Sequence, residues 1–156
     1  LLIQAMDWYS RQEKKEKTEK KGFYKEVVIK DLTPALYPPC ILNILAGIKQ
    51  DGRKRALFIL LNFFKSLKMN GDEIEKKIGE WNKKNSKQLR EGYIRTQISW
   101  FSKQSAVLPP NCDKPLYQEI GICIPDGMCK MIKNPINYTA RKARLAEAKG
   151  NKKNGK

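Results

Sequence analysis

Arg53-Lys54-Arg55-Ala56-Leu57-Phe58-Ile59-Leu60-Leu61-Asn62-Phe63-Phe64-Lys65-Ser66-Leu67 decides the architecture of this chain. Its apolar residues fall on nearly every side of a helix, and a helix that is apolar all round belongs at the centre of a domain. The flanking sequence supplies partners for it. Upstream, Ile41, Leu42, Ile44, Leu45 and Ile48 follow helical spacing from Cys40, and Gly47 to Gly52 supplies a turn. Downstream, Asn70-Gly71 closes the central helix, and Asp72 with Glu75 has capping-box spacing ahead of Ile74, Ile78 and Trp81. A further helix spans Leu89 to Phe101, with Tyr93, Ile98 and Phe101 inward and Arg90, Arg95 and Lys103 outward. Pro109-Pro110 stops it. Residues 111–137, rich in Pro, Gly, Asn and Cys, should form short turns around something other than an apolar core. The class expected is all-α: a compact helical domain with a C-terminal turn-rich segment.

The flanks are more polar. Leu2, Met6 and Tyr9 begin a helical pattern that continues as a charged face from Arg11 to Lys21, and Phe23 to Ile29 reads as a short extended connector. Pro34, Pro38 and Pro39 keep regular helix away until Cys40. Ala140 to Lys149 reads as a basic helix and Gly150 to Lys156 as a disordered tail. The expected division is therefore 1–34 (N-terminal helix and connector), 35–140 (core domain) and 141–156 (basic helix and tail). At 156 residues the chain suits one core rather than two.

Lys and Arg number 32 against 16 Asp and Glu, a formal charge of +16. Such a chain is attracted to polyanions: nucleic acid first, anionic lipid second, with a merely solvated lysine-rich surface as the plain alternative. The longest apolar run, Ala56 to Leu61, is broken by Asn62 and falls far short of the roughly 20 residues of a membrane span. Residue 1 is Leu and no signal peptide is evident, so the expectation is a fragment of a longer cytosolic polypeptide.

Four cysteines, Cys40, Cys112, Cys123 and Cys129, accompany no histidine at all. Three lie in the turn-rich segment; Cys40 stands far upstream at a predicted helix start, where backbone N–H groups favour a thiolate. The lack of histidine excludes mixed Cys/His zinc sites. All-cysteine zinc, an all-cysteine iron-sulfur cluster, two disulfides and scattered buried thiols stay open, although the spacing lacks the paired tight knuckles of common zinc modules and disulfides are unexpected without secretion.

Tyr37-Pro38-Pro39-Cys40-Ile41 and Asp51-Gly52-Arg53-Lys54-Arg55-Ala56-Leu57-Phe58 resemble the start of the C-terminal iron-sulfur domain of the DNA primase large subunit. The resemblance continues through Leu67-Lys68-Met69-Asn70-Gly71-Asp72-Glu73, Ile78-Gly79-Glu80-Trp81 and Arg90-Glu91-Gly92-Tyr93-Ile94-Arg95. Pro109-Pro110-Asn111-Cys112, Gly121-Ile122-Cys123, Pro125-Asp126-Gly127-Met128-Cys129 and Lys133-Asn134-Pro135-Ile136-Asn137-Tyr138 are similar to archaeal members in particular. It covers about residues 35 to 140. By this resemblance, Cys40, Cys112, Cys123 and Cys129 are expected to bind a 4Fe-4S cluster that staples the turn-rich segment to the helices.

The resemblance further implies an accessory domain that holds the template and the 5′ triphosphate end of the initiating nucleotide or primer for a separate catalytic small subunit making RNA primers. Arg53, Lys54 and Arg55, just before the central helix, are the expected triphosphate contacts. Tyr93, Arg95 and Trp100 are expected to stack on a base or clamp a phosphate. Eukaryotic members carry histidines near these segments and this chain has none. The partners implied are the small subunit, DNA template, RNA primer and initiating NTP, without a membrane. The location implied is cytoplasmic and nucleoid-associated, or nuclear in a eukaryote.

Polymerisation itself needs convergent carboxylates for two divalent ions, and no Asp-x-Asp pair is present. The chain is therefore expected to be non-catalytic by itself, one part of a nucleotidyltransferase complex. The competing readings are a four-cysteine zinc module that binds nucleic acid, and an iron-sulfur redox protein.

Overall fold

In the computed structural model, which describes residue 29 and residues 31–153, every regular element among the described residues is helical. The predicted helix over 1–21 and the extended connector lie outside the described residues, except for Ile29. A 3-10 turn at Pro34–Leu36 leads into α1 (Pro39–Leu45), α2 (Arg53–Ser66), α3 (Gly71–Lys84), α4 (Glu91–Lys103), the single-turn α5 (Leu116–Glu119), a 3-10 turn at Cys129–Met131, and α6 (Pro135–Lys153).

Helix α2 is the axis of the domain, as its composition requires. Ala56, Leu57, Ile59, Leu60, Leu61, Phe63 and Phe64 are all essentially inaccessible, and each fully buried Leu, Ile or Phe contributes about 1.5–3 kcal/mol relative to exposure. Helices α1, α3 and α6 pack on α2, and α4 packs on α3. The Tyr37 ring closes one end of this core edge-on to Phe63, with centroids 5.3 Å apart. The face carrying Phe58 is the exception, since that ring is 44% exposed.

Several boundaries differ from expectation, each for a local reason. Helix α1 starts at Pro39, which fits the first helical position because its missing N–H has no intrahelical partner there. Ile48 is buried but lies beyond the helix, its N–H donating to Asn85 Oδ1 at 2.8 Å. Helix α3 is capped two residues earlier than the capping-box spacing implied: Asn70 Oδ1 accepts from Glu73 N at 2.8 Å, so Asn70 caps α3 instead of closing α2. Leu89 and Arg90 precede α4, because Asn82 engages both backbone groups of Leu89, at 2.8 and 2.9 Å, and fixes the α3–α4 link in an extended form. Helix α6 starts at Pro135 and runs to Lys153, so residues 150–153, expected in a disordered tail, are helical.

Two glycines set how closely the elements approach. Gly47 has φ +107°, and a Cβ there would sit 2.3 Å from the Lys84 carbonyl oxygen at the end of α3. Gly52 has φ +111°, and its Cβ would meet Ile120 Cγ2 at 2.4 Å. The start of α2 is thereby pressed against the turn-rich segment.

Candidate metal centre and nucleic-acid interface

The turn-rich segment, residues 104–134, is organised by side chains that replace missing secondary structure. Asn134, buried at 3% exposure, donates to Pro109 O at 2.7 Å and Asn111 Oδ1 at 3.0 Å, while its Oδ1 accepts from Ile136 N and caps α6. Tyr117 donates its hydroxyl to Pro110 O at 2.6 Å. Asp126 Oδ1 accepts from the N–H groups of Met128 and Cys129, both at 3.0 Å, and its Oδ2 from the Tyr138 hydroxyl at 2.7 Å. Asn43 on α1 reaches across to Ile122 O at 3.0 Å. These bonds bring the late cysteines to the start of α1.

All four cysteines are free thiols, each half-buried, and all four line one cavity of about 260 Å³ with Pro38, Tyr117, Ile124 and Ile132 among its walls. Burial first, and the neighbouring Cys112 next, push the Cys40 thiol up to about 12; burial and the neighbouring Cys129 and Cys123 push Cys112 up to about 11. Burial also raises Cys129. Tyr117 is raised by burial and by its proximity to Cys40, Cys112 and Cys123. The expectation that the start of α1 favours a Cys40 thiolate is thus outweighed in the metal-free protein: the hydrogen bond from the Ile41 backbone lowers the value by less than burial raises it. A bound cation reverses this balance, since thiolates are the ligating form.

The four thiols share one cavity. Among the described residues, no three Cys, Asp or Glu side chains gather closely enough to hold a single metal ion. One tetrahedral zinc, at about 2.3 Å from each sulfur, requires sulfurs within about 4 Å of one another. Four cysteines on one cavity are the donor set of an all-thiolate centre.

A second cluster surrounds the start of α2. Arg53, Lys54 and Arg55, with Asp51, Gly52 and Leu89, line a cleft of about 470 Å³. The three cations diverge: Arg53 Nη1 donates to Lys87 O at 2.6 Å, Lys54 Nζ lies 5.1 Å from the centroid of the Tyr93 ring, and Arg55 pairs with Glu119 at 3.0 Å. Arg53 Nε is buried with no hydrogen-bond partner. No carboxylate stands in the first turn of α2 and no side chain caps it. Cations at a helix N-terminus oppose the helix dipole, so this turn breaks a local rule of stability.

The other expected contacts are only partly brought together. Tyr93 and Arg95, two apart on α4, point to different sides; Tyr93 meets Lys54, and Arg95 faces Glu91 at 3.9 Å. Trp100 is 55% exposed and stands edge-on to Phe101, whose ring also meets the exposed Phe58.

No family model matches the chain, and no solved structure matches it significantly. Among curated proteins, it aligns with the DNA primase large subunit PriL of Pyrococcus abyssi at 28% identity over 167 positions, covering 83% of this chain and 42% of the relative. PriL of Pyrococcus horikoshii aligns at 29% identity, covering 80% of the chain and 42% of the relative. The chain is thus similar to primase large subunits along most of its own length. It spans about two-fifths of the length of these two PriL relatives.

The residues that sequence reasoning passed over are the organisers. Asn43, Asp126 and Asn134 position the cysteines, and Glu119 holds Arg55. Asn134-Pro135 carried a readable signal, a capping residue followed by Pro at the first helical position. The pairing of Lys54 with Tyr93 had none, because it depends on how α2 and α4 meet.

Proposed function

We propose that this chain is an accessory domain of a DNA primase large subunit, non-catalytic by itself, in which Cys40, Cys112, Cys123 and Cys129 hold a 4Fe-4S cluster. In this reading the cleft of Arg53, Lys54 and Arg55 grips the 5′ triphosphate of the initiating nucleotide or primer while the domain holds the template for a separate catalytic subunit. The observation that carries the proposal is that four thiols from opposite ends of the domain line one cavity. The spacing of the cysteines, which lacks the paired tight knuckles of common zinc modules, favours a cluster over the zinc alternative. The relatedness to PriL supports the primase assignment.

A thiolate-held cluster supplies a cross-link between α1 and a segment that has little core of its own, and a group able to change redox state. The protein's own residues do the rest. Pro39 sets the start of α1 so that Cys40 lies one residue inside it; Asp126 shapes the turn that presents Cys129; Asn134 ties the strand of turns to α6. At the cleft, the N–H groups opening α2 and the guanidinium of Arg53 are donors without an anion in the fold. A triphosphate offers the matching charge, and the half-buried Tyr93 beside the exposed Lys54, with Trp100, offers faces for a base.

The test compares binding of oligonucleotides bearing a 5′ triphosphate or a 5′ hydroxyl. The intact chain is expected to favour the triphosphate end, and Arg53→Ala or Lys54→Ala to cut that preference about tenfold or more, the magnitude of one charge-assisted hydrogen bond. Equal binding of both ends, or primer synthesis by this chain without a catalytic subunit, would overturn the reading.

A further inference from the structure

We infer that α6 is a second nucleic-acid contact, a basic arm that holds phosphates beyond the Arg53 cleft; the inference rests on the nucleic-acid reading above. Helix α6 has two different halves. In the first, Ile136, Thr139, Ala140 and Ala143 are buried against the domain, and Tyr138 is fixed by Asp126 beside the cysteine cavity. Beyond Ala143 the packing stops: every residue from Arg144 to Asn151 is exposed. The row Ile136, Ala140, Ala143 continues at helical spacing into Glu147, which is exposed too. The helix therefore leaves the body of the domain and continues into solvent.

The exposed half is predominantly cationic. Arg141, Lys142, Arg144 and Lys149 stand with Glu147 as the sole carboxylate between Arg141 and Lys153, and the sequence continues with Lys152 and Lys153. Among the described residues none of Arg141, Arg144 and Lys149 forms an ion pair or side-chain hydrogen bond, while Lys142 lies 5.5 Å from the centroid of the Tyr138 ring. An ordinary solvated helix gains from alternating Glu and Lys four residues apart. Here cations repeat instead, at a cost in self-repulsion that a polyanion removes. Ala140, Ala143, Ala146 and Ala148 give the segment enough helix propensity to stand partly formed without packing.

The face suits phosphate rather than lipid. An interfacial membrane helix needs a continuous apolar stripe, and the exposed half carries only Leu145 as a large apolar residue, 48% exposed. A row of Arg and Lys on a projecting helix matches the evenly spaced charges of a nucleic-acid backbone.

The experiment measures binding of the metal-loaded chain to primed templates with a short or a long duplex, as a function of salt. The comparison is with Arg141→Gln/Arg144→Gln/Lys149→Gln, whose exposed sites leave the fold intact by circular dichroism. The triple variant should bind the long duplex at least tenfold more weakly at low salt, with a log–log salt slope shallower by about 2.7, roughly 0.9 per phosphate contact. Its binding of the short duplex and its preference for a 5′ triphosphate should be unchanged. An unaltered slope on the long duplex, with Arg53→Ala still weakening triphosphate binding, overturns the arm and leaves the cleft standing. Loss confined to vesicles of anionic lipid also overturns it. Failure of the unmodified chain to bind any nucleic acid removes both readings together.

Discussion

Cys40 links the two halves of the cysteine centre, because it alone comes from the helical core while Cys112, Cys123 and Cys129 come from the turns. Replacing it by serine keeps the shape and removes the thiolate. Cys40→Ser should lower iron from roughly four per chain to below one by colorimetric assay; full iron retention would exclude Cys40 as a ligand. In the metal-free chain, burial holds Cys40 and Cys112 as neutral thiols, at about 12 and about 11. Thiolate is the reactive form, so both should alkylate about tenfold or more slowly at pH 8.5 than in the unfolded chain, with rates still climbing above pH 9.5. A plateau near the free-thiol value of about 8.5 would contradict this. Asn134 is the other residue with several duties: two hydrogen bonds into residues 109–111 and the cap of α6. Asn134→Ala should cost about 2–3 kcal/mol, combining a lost cap with orphaned buried partners, read as a lowered denaturation midpoint at unchanged slope.

At the scale of elements, α2 was legible because its apolar residues fall on nearly every side of the helix, a pattern that belongs at the centre of a domain. Helices α3 and α4 were legible through their periodicity. Their ends were not, because Asn70 and Asn82 act through tertiary and capping bonds that spacing alone does not rank. The cysteines announced a site by type and number, yet their meeting depends on Asn43, Asp126 and Asn134, which composition reads only as turn formers. The contact between α2 and the turn-rich segment rests on Gly52. Gly52→Ala places a methyl against Ile120 at a backbone angle that disfavours side chains, and should destabilise the domain by about 2 kcal/mol or more. Because the same turn presents Arg53, triphosphate binding should weaken in that variant; wild-type stability and binding would show that the approach is not tight.

For the whole molecule, the nucleic-acid partner proposed above rests on the charge of +16 and the similarity to PriL. No helix among the described residues is long and apolar enough to cross a membrane. The basic cleft at the start of α2 and the exposed half of α6 are separate concentrations of positive charge, so affinity for primed template should fall steeply with salt, about 0.9 log units per log unit of salt for each phosphate engaged. The cysteine cavity ties the architecture to the proposed role, since its cysteines join the core that carries the cleft to the segment that anchors α6.

The most direct measurement is the metal content and visible absorption of the chain purified without oxygen. The account predicts roughly four irons per chain and a broad brown absorbance toward the blue end of the spectrum, both lost on chelation after oxidation. Stoichiometric zinc, or no metal in protected samples, would contradict it.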